Sequence, residues 1–303
     1  MKICFFGSTG YIAGYVYEEL LAEGHELILI KRPGSSNFHF QDQVQNLTAE
    51  THEVRELISR LQPDVVLNMA NYFVKTQEPL DIEKFDEVNC QFITEISFGC
   101  VAAGASLFHV GSAWQATFDN NDPSLGNSYA LYKGLAVQII EWFCKSYGLN
   151  SIILNLYDTY GRNDPRGKIV QFLVDQIGAE SKLELSGGEQ ILELVHVSDI
   201  ARAISLGLYK IEKEIITQSD VTGVFETYWC YPAQANTLKE IVHIIDSNTS
   251  NPISVEWGAR PYRVGEKFER EISGKPTIPG WQQEIQLSDG INDLIFGQQL
   301  GSK

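Results

Sequence analysis

Tyr129 and Lys133 stand four residues apart, with Ser112 upstream of them. A phenol, an ammonium and a hydroxyl brought together can exchange a proton with a carbonyl or alcohol oxygen, the acid–base half of a hydroxyl/carbonyl redox reaction. On a helix opening at Tyr129, i, i+4 spacing places Tyr129 and Lys133 on one face. A phenol with a pKa near 10 is a poor proton-transfer group at neutral pH. A neighbouring ammonium and a helix N-terminus both favour the phenolate and lower that value. In such a site Ser112 polarises the substrate oxygen, Tyr129 exchanges its proton, and Lys133 tunes Tyr129 and anchors a nicotinamide ribose. The bland alternative is coincidence, since a chain with 13 Tyr and a similar number of Lys yields roughly 0.6 Tyr-x-x-x-Lys matches by accident. A second match, Tyr209 with Lys213, has no hydroxyl partner or strand end beside it and reads as a solvated helix terminus.

These side chains need a scaffold that gathers them at one edge. Short apolar runs at Ile3–Phe6, Leu27–Ile30, Val65–Met69, Leu107–Val110 and Ile152–Leu156 alternate with helix-length amphipathic stretches. That pattern predicts parallel strands buried on both faces and joined by crossover helices, an α/β fold with a Rossmann-type doubly wound parallel sheet. Helices are predicted over about 11–23, 50–61, 83–103 and 129–147, the last following the turn Leu125-Gly126-Asn127-Ser128. The run Leu107–Val110 ends at Gly111-Ser112, so Ser112 falls at the carboxyl end of a strand, where open α/β sheets bind ligands. Beyond residue 161 the pattern loosens into Gly, Pro and charge clusters at Arg162–Lys168, Ser186–Glu189 and Asn251–Gly280, which predicts a smaller, interleaved C-terminal lobe. The expected division is a dinucleotide-binding domain over residues 1–161 and a substrate-binding lobe over 162–191 and 211–303, with a ligand cleft between them. Residues 192–210, with Leu194–Val197 and Asp199–Tyr209, look like a return to the sheet.

Directly after the first strand stands Gly7-Ser8-Thr9-Gly10-Tyr11-Ile12-Ala13-Gly14. Glycines there permit a tight turn and close approach of a pyrophosphate to backbone N–H groups, and the helix N-terminus favours negative charge. Small Ala13 allows helix and strand to pack. The second strand ends in Lys31-Arg32-Pro33-Gly34-Ser35-Ser36, where NAD-specific sites present a carboxylate to the ribose 2′-hydroxyl. Arg32, Lys31 and the serines are suited instead to a 2′-phosphate, which favours NADP(H) over NAD(H). The alternative is a strand end capped by two solvated basic residues.

Composition narrows the partners. The formal charge is −16, with 44% apolar and 11% aromatic residues, a globular composition. Such a charge opposes non-specific binding to nucleic acid or anionic lipid. No apolar run approaches the ~20 residues of a membrane span, and the opening Lys2–Phe6 stretch meets Gly7 too soon for a signal sequence, so a cytoplasmic location is expected. The five cysteines are dispersed without a Cys-x-x-Cys pair, which points to buried thiols rather than disulfides or a metal site.

Gly7-x-x-Gly10-x-x-Ala13, Ser112 and Tyr129-x-x-x-Lys133 resemble the extended short-chain dehydrogenase/reductases, specifically the NAD-dependent epimerase/dehydratase group that acts on nucleotide sugars. The likeness continues through Leu154–Gly161, Gly187-Gly188-Glu189-Gln190, Val195-His196-Val197-Ser198-Asp199 and Gly280-Trp281. It implies catalytic Ser112, Tyr129 and Lys133. It further implies cofactor contacts from Gly7, Thr9, Gly10, Tyr11, Ile12, Lys31, Arg32, Ser35, the Asn46-Leu47-Thr48 stretch, Met69, Ala70, Tyr129, Lys133 and Tyr157. Ala113, Trp114, Asp158, Lys168 and Arg263 would face the substrate, and no metal is required. The family commonly dimerises through helices matching 83–103 and 129–147, which implies a homodimer.

Dehydratases of the group follow the catalytic hydroxyl with an Asp-Glu pair; Ala113 and Trp114 stand here and can neither donate nor abstract a proton. The short link from Ser112 to Tyr129 is similar to that of the nucleotide-sugar 4-ketoreductases of deoxysugar and surface-polysaccharide biosynthesis, such as the CDP-abequose and CDP-paratose synthases. The expected reaction is NADPH-dependent reduction of the C4 ketone of a nucleotide-linked 4-keto-6-deoxy sugar. An epimerase with tightly bound NAD+ and a non-catalytic NADP sensor are the alternatives. Two positions depart from the family pattern: Leu192 replaces an Arg and Asp158 an Asn, both at positions that normally touch the diphosphate. Arg263, which precedes Gly265, is retained, and Arg162, Arg166 and Lys168 are candidate replacements for the lost cation. His109 and His196 read as packing or supporting residues.

Overall fold

The computed structural model describes residues 1–35, 44–74, 79–115, 128–215, 222–263, 266–269 and 274–301. Ser36, the turn residues Leu125-Gly126-Asn127 and Gly265 lie outside them. The chain forms two compact units. The first comprises Met1–Leu156, Ala201–Trp229 and Pro276–Trp281; the second comprises Tyr157–Ile200, Cys230–Lys275 and Gln282–Lys303.

The first unit is built on strands β1 (Lys2–Phe6), β2 (Glu26–Lys31), β3 (Gln45–Thr48), β4 (Val65–Asn68), β5 (Ser106–Ser112) and β6 (Ser151–Leu156). Between them run α1 (Tyr11–Ala22), α2 (Val54–Leu61), α3 (Pro79–Asp86), α4 (Phe92–Ala103) and α5 (Ser128–Tyr147). A π-helical turn, Glu87–Gln91, joins α3 to α4. Every pairing from β3 through β6 is parallel, in the order β3-β2-β1-β4-β5-β6. Strand order therefore reverses between β1 and β4, and the crevice at their carboxyl ends is the binding position of doubly wound sheets. The fold is Rossmann-like, as the alternation of apolar runs and helices requires.

Burial explains why the runs read so clearly: Ile3–Phe6, Leu27–Ile30 and Val65–Leu67 are covered on both faces. One apolar layer joins Ile28, Ile30 and Val66 of the sheet to Val54 and Ile58 of α2, Ile96 and Cys100 of α4, and Ile140 and Phe143 of α5. Each such side chain contributes about 1.5–3 kcal/mol by leaving water. Cys4, Cys100, Cys144 and Cys230 are buried thiols and Cys90 is half-buried.

The remaining elements are β7 (Asp158–Tyr160), α6 (Ile169–Val174), β8 (Leu183–Leu185), β9 (Ile191–Leu192), β10 (Leu194–His196), α7 (Val197–Lys210), β11 (Phe225–Cys230), β12 (Asn236–Thr237), α8 (Leu238–Ser247), β13 (Val255–Trp257) and α9 (Leu287–Gly301). Helices α6, α8 and α9 of the second unit share a core of Val170, Leu173, Leu238, Ile241, Ile245, Ile291 and Leu294. Two expectations are corrected. Leu194–Val197 does not return to the main sheet: β10 pairs with β7 in a separate two-stranded ribbon, and the edge beside β6 is taken by β11. The segments that rejoin the first unit are accordingly 201–229 and 276–281, and residues 192–200 stay with the second. The polar β3 carries no apolar run and escapes a hydrophobicity reading, because it forms the sheet's outer edge.

Among the described residues, no helix is long and apolar enough to cross a membrane.

Candidate active site

The turn after β1 lies at the sheet's reversal point. Gly7 has φ +76° and packs so closely on the end of β4 that a Cβ there would lie 2.4 Å from the Ala70 nitrogen. Both the conformation and the contact require glycine. Gly10 enters α1 in an extended conformation and, having no side chain, leaves the first N–H groups of the helix uncapped. Those donors and the helix dipole suit an anionic group such as a pyrophosphate. Ala13 is buried, as close packing of α1 requires.

A cavity at this turn is lined by Gly7, Thr9, Gly10, Lys31, Arg32, Ser35, Met69 and Ala70, eight of the positions expected at the cofactor. Lys31, Arg32 and Ser35 bring basic and hydroxyl groups to its β2 side. Sequence reasoning missed Thr51, Glu87 and Val88, which line the same cavity from the segments preceding α2 and α4. Glu87 accepts a bond from Lys84 Nζ at 2.7 Å, which, with the nearby Arg32 guanidinium, holds its carboxyl below the usual range despite partial burial. A π-helical turn is a frequent mark of functional positions, but no sequence signal announces this one. Other expected contacts do not line the cavity. Tyr11 packs edge-on against Tyr15, Ile12 lies in the first turn of α1, and Leu47 packs on the apolar layer beneath the sheet edge. Asn46 turns its amide to the Val44 oxygen.

The second cluster forms where β5 meets α5. Ser112 ends β5 and is buried; its Oγ accepts a bond from the Trp114 N–H at 3.3 Å, which leaves the hydroxyl proton for another acceptor. Lys133, 3% exposed, sends Nζ to the Val110 carbonyl oxygen at 3.0 Å, two residues before Ser112 on the same strand. Tyr129 is half-buried, and its ring stands perpendicular to Phe73 at 5.4 Å and to Trp114 at 6.2 Å. The structure thus brings the opening of α5 to the carboxyl end of β5. Burial pulls the Lys133 ammonium down to about 8.

His109 of β5 and Asn68 of β4 are register partners on adjacent strands near this cluster. The two buried side chains share a hydrogen bond of 3.0 Å between Nδ1 and the amide nitrogen. Burial first, and the Lys133 charge second, hold the His109 imidazole well below its ordinary range, so it is neutral. Asn68 was missed by sequence reasoning, although a polar residue closing the run Val65-Val66-Leu67 is a usable signal. Tyr209 in the last turn of α7 and Lys213 in the π-helical turn that follows it (Ile211–Ile215) are exposed, with Lys213 over the tyrosine ring and paired to Glu212, a solvated terminus as expected.

The remaining candidates belong to the second unit. Asp158 pairs with Lys168 at 3.4 Å, so the carboxylate that replaces the family's Asn is offset by a local cation. Arg166 is engaged by Asp164, whose side chain is 1% exposed, and by the Thr159 oxygen; Arg162 is engaged by Asp293. Neither arginine is the spare cation that the sequence offered. Leu192 lies in β9, Arg263 is exposed, and Tyr157 is buried with its N–H on the Cys230 oxygen. His196 is a packing residue, its Nδ1 accepting the Ser198 N–H and its ring edge-on to Tyr160.

A doubly wound sheet with a glycine turn at its reversal point and a Ser–Tyr–Lys set at a neighbouring strand end defines an NAD(P)-dependent oxidoreductase of the short-chain dehydrogenase/reductase type. Residues 3–217 match the profile of the NAD dependent epimerase/dehydratase family, and the chain belongs to that family. It is 27% identical over 259 residues to a CDP-abequose synthase of Yersinia pseudotuberculosis, covering 85% of this chain and 88% of that one. It is 19% identical to a CDP-abequose synthase of Salmonella muenchen, with 97% of each chain covered. Among solved structures, MoeE5 in complex with UDP-glucuronic acid and NAD superposes with a TM-score of 0.79 at 15% identity, covering 99% of this chain and 100% of that one.

Proposed function

We propose that the protein reduces the C4 ketone of a nucleotide-linked 4-keto-6-deoxy sugar with NADPH. The observation that supports this reading above others is the Lys133 anchor on Val110, because it holds the opening of α5, and with it Tyr129, at the strand end that carries Ser112. Bound dinucleotide supplies the two-electron reduction. The chain supplies the rest: the Ser112 hydroxyl donates a hydrogen bond to the ketone oxygen, Tyr129 gives that oxygen its proton, and the Lys133 charge eases the proton's departure from the phenol. Ala113 and Trp114 beside Ser112 offer no acid or base for dehydration. Arg32 and Ser35, lining the cofactor cavity, support a 2′-phosphate, and hence NADP(H). The first unit then binds the cofactor, and the second, through Asp158, Lys168 and Arg263, binds the nucleotide sugar. The relatives named as CDP-abequose synthases agree with a sugar-nucleotide substrate.

Glu87 favours a second reading. A carboxylate lining the adenosine end suits an unphosphorylated ribose, and an epimerase that retains NAD+ would use one. Purified protein incubated with NADPH and freshly generated 4-keto-6-deoxy nucleotide sugars decides between them by mass spectrometry. A product heavier by two hydrogens, with NADPH consumed, supports the reductase. Release of NAD+ on denaturation, with interconversion of C4 epimers and no net reduction, overturns it.

A further inference from the structure

We infer that His109 is a positioning residue for the cofactor, acting through Asn68 on the Met69–Ala70 segment. The side-chain oxygen of Asn68 accepts the Ala70 N–H at 3.1 Å, so its amide nitrogen is the end that meets His109 Nδ1 at 3.0 Å. A ring nitrogen that accepts carries no proton; His109 therefore holds its proton on Nε2. That Nε2 is buried and has no hydrogen-bond partner among the described residues. An apolar side chain would fill the same space without leaving a donor unsatisfied, so packing does not explain a histidine here. The acceptor at Nδ1 does explain it.

What the acceptor holds is a wall of the cofactor cavity. Ala70 lines it, and the Gly7 turn rests against the same peptide. With Asn68 oriented by His109, the Ala70 N–H is tied down and the surface facing Gly7 is set before ligand arrives. Burial, and after it the charge of Lys133 on α5, keeps the imidazole neutral. Protonation would turn Nδ1 into a donor facing a donor and break the link. At 1% exposure His109 does not touch substrate, and its effect is confined to binding.

The inference rests on this cavity being the dinucleotide site, and is tested by dissociation constants for NADPH and NADH, with no sugar present. His109→Phe keeps the volume and removes the acceptor; His109→Asn places an amide oxygen near the Nδ1 position. Affinity for the preferred dinucleotide should fall about tenfold in H109F and return to within about twofold in H109N, with kcat at saturating cofactor changed less than about twofold. Equal binding by H109F and wild type, or no recovery in H109N, overturns the role of His109. Wild-type protein that binds neither dinucleotide overturns the reading of the site as well. Nitrogen-15 spectra of wild-type histidine rings provide a check independent of the variants' folding: an Nε2–H tautomer that does not titrate near pH 6.5 is expected, and an Nδ1–H tautomer or a titrating ring refutes the assignment.

Discussion

Lys133 donates from Nζ to the backbone oxygen of Val110, which places a buried ammonium two residues from the Ser112 hydroxyl on the same strand. The ammonium has exchanged bulk water for a carbonyl oxygen in a site from which solvent is nearly excluded. Its chemistry and its stability cost follow from that exchange.

The activity should fall as pH rises through the Lys133 titration. Burial sets that value at about 8 against an ordinary 10.5. Below it the ammonium is present and supports proton transfer by Tyr129; above it the charge is gone. The kcat/KM for ketone reduction, measured across the alkaline range, should show a descending limb near pH 8. A profile flat to pH 10 would disconnect Lys133 from the reaction.

Replacing the lysine should abolish turnover and yet raise stability. The folded-state value is depressed, so below about pH 8 both folded and unfolded chains are protonated and the native state bears the whole penalty of burying a cation. Between about 8 and 10.5 only the unfolded chain holds the proton, and native stability rises with pH across that window. Lys133→Met should therefore stabilise the protein by an amount on the order of 1–3 kcal/mol at pH 7 and by little at pH 10.5. Urea denaturation at the two pH values measures it; equal effects at both would contradict the account.

Tyr129→Phe removes one oxygen and keeps the ring contacts with Phe73 and Trp114. Turnover should fall by about 10²–10⁴-fold, as loss of a general acid does. Cofactor affinity should stay within about twofold, because the glycine turn and Arg32 are untouched. Calorimetric titration beside steady-state assays separates the two quantities.

Arg32→Ala should weaken NADPH by about ten- to a hundredfold, the scale of a charge-assisted phosphate contact, and NADH far less. Glu87→Gln should act in the opposite direction, since it removes a carboxylate from the same cavity. Equal losses of both cofactors in R32A would show that no 2′-phosphate is held there.

Gly7→Ala should abolish dinucleotide binding. The new methyl group would lie 2.4 Å from the Ala70 nitrogen in a backbone conformation with φ +76°, and neither the Met69–Ala70 peptide nor the turn can yield without deforming the cavity. Soluble expression without cofactor-dependent thermal stabilisation is the expected result. Wild-type affinity in G7A would mean that the turn does not hold the dinucleotide.

The glycine turn and the helix carrying Tyr129 and Lys133 were legible in the sequence because their signals are local. Gly7 and Gly10 follow an apolar run at once, and Tyr129 with Lys133 share a helix face by spacing alone. Arg166 shows the opposite case: it sits in a basic loop as though free, and is engaged by the buried Asp164 carboxylate, which no spacing rule distinguishes from a solvated loop charge. Glu87, Asn68 and Phe73 were overlooked because each reaches its place from an element remote in sequence from the residues it meets.

The sequence by itself determined the alternation of strands and helices, the glycine turn after β1 and the spacing that puts Tyr129 and Lys133 on one helix face, since backbone periodicity and steric freedom act between near neighbours. The tertiary structure alone decided that β11 rather than β10 closes the sheet edge, that Lys133 rests on Val110 with its charge weakened, and that His109 is bonded to Asn68. Those outcomes depend on burial and on which strands lie side by side, and the low polarity of that interior, not the residues' order, sets how each group ionises.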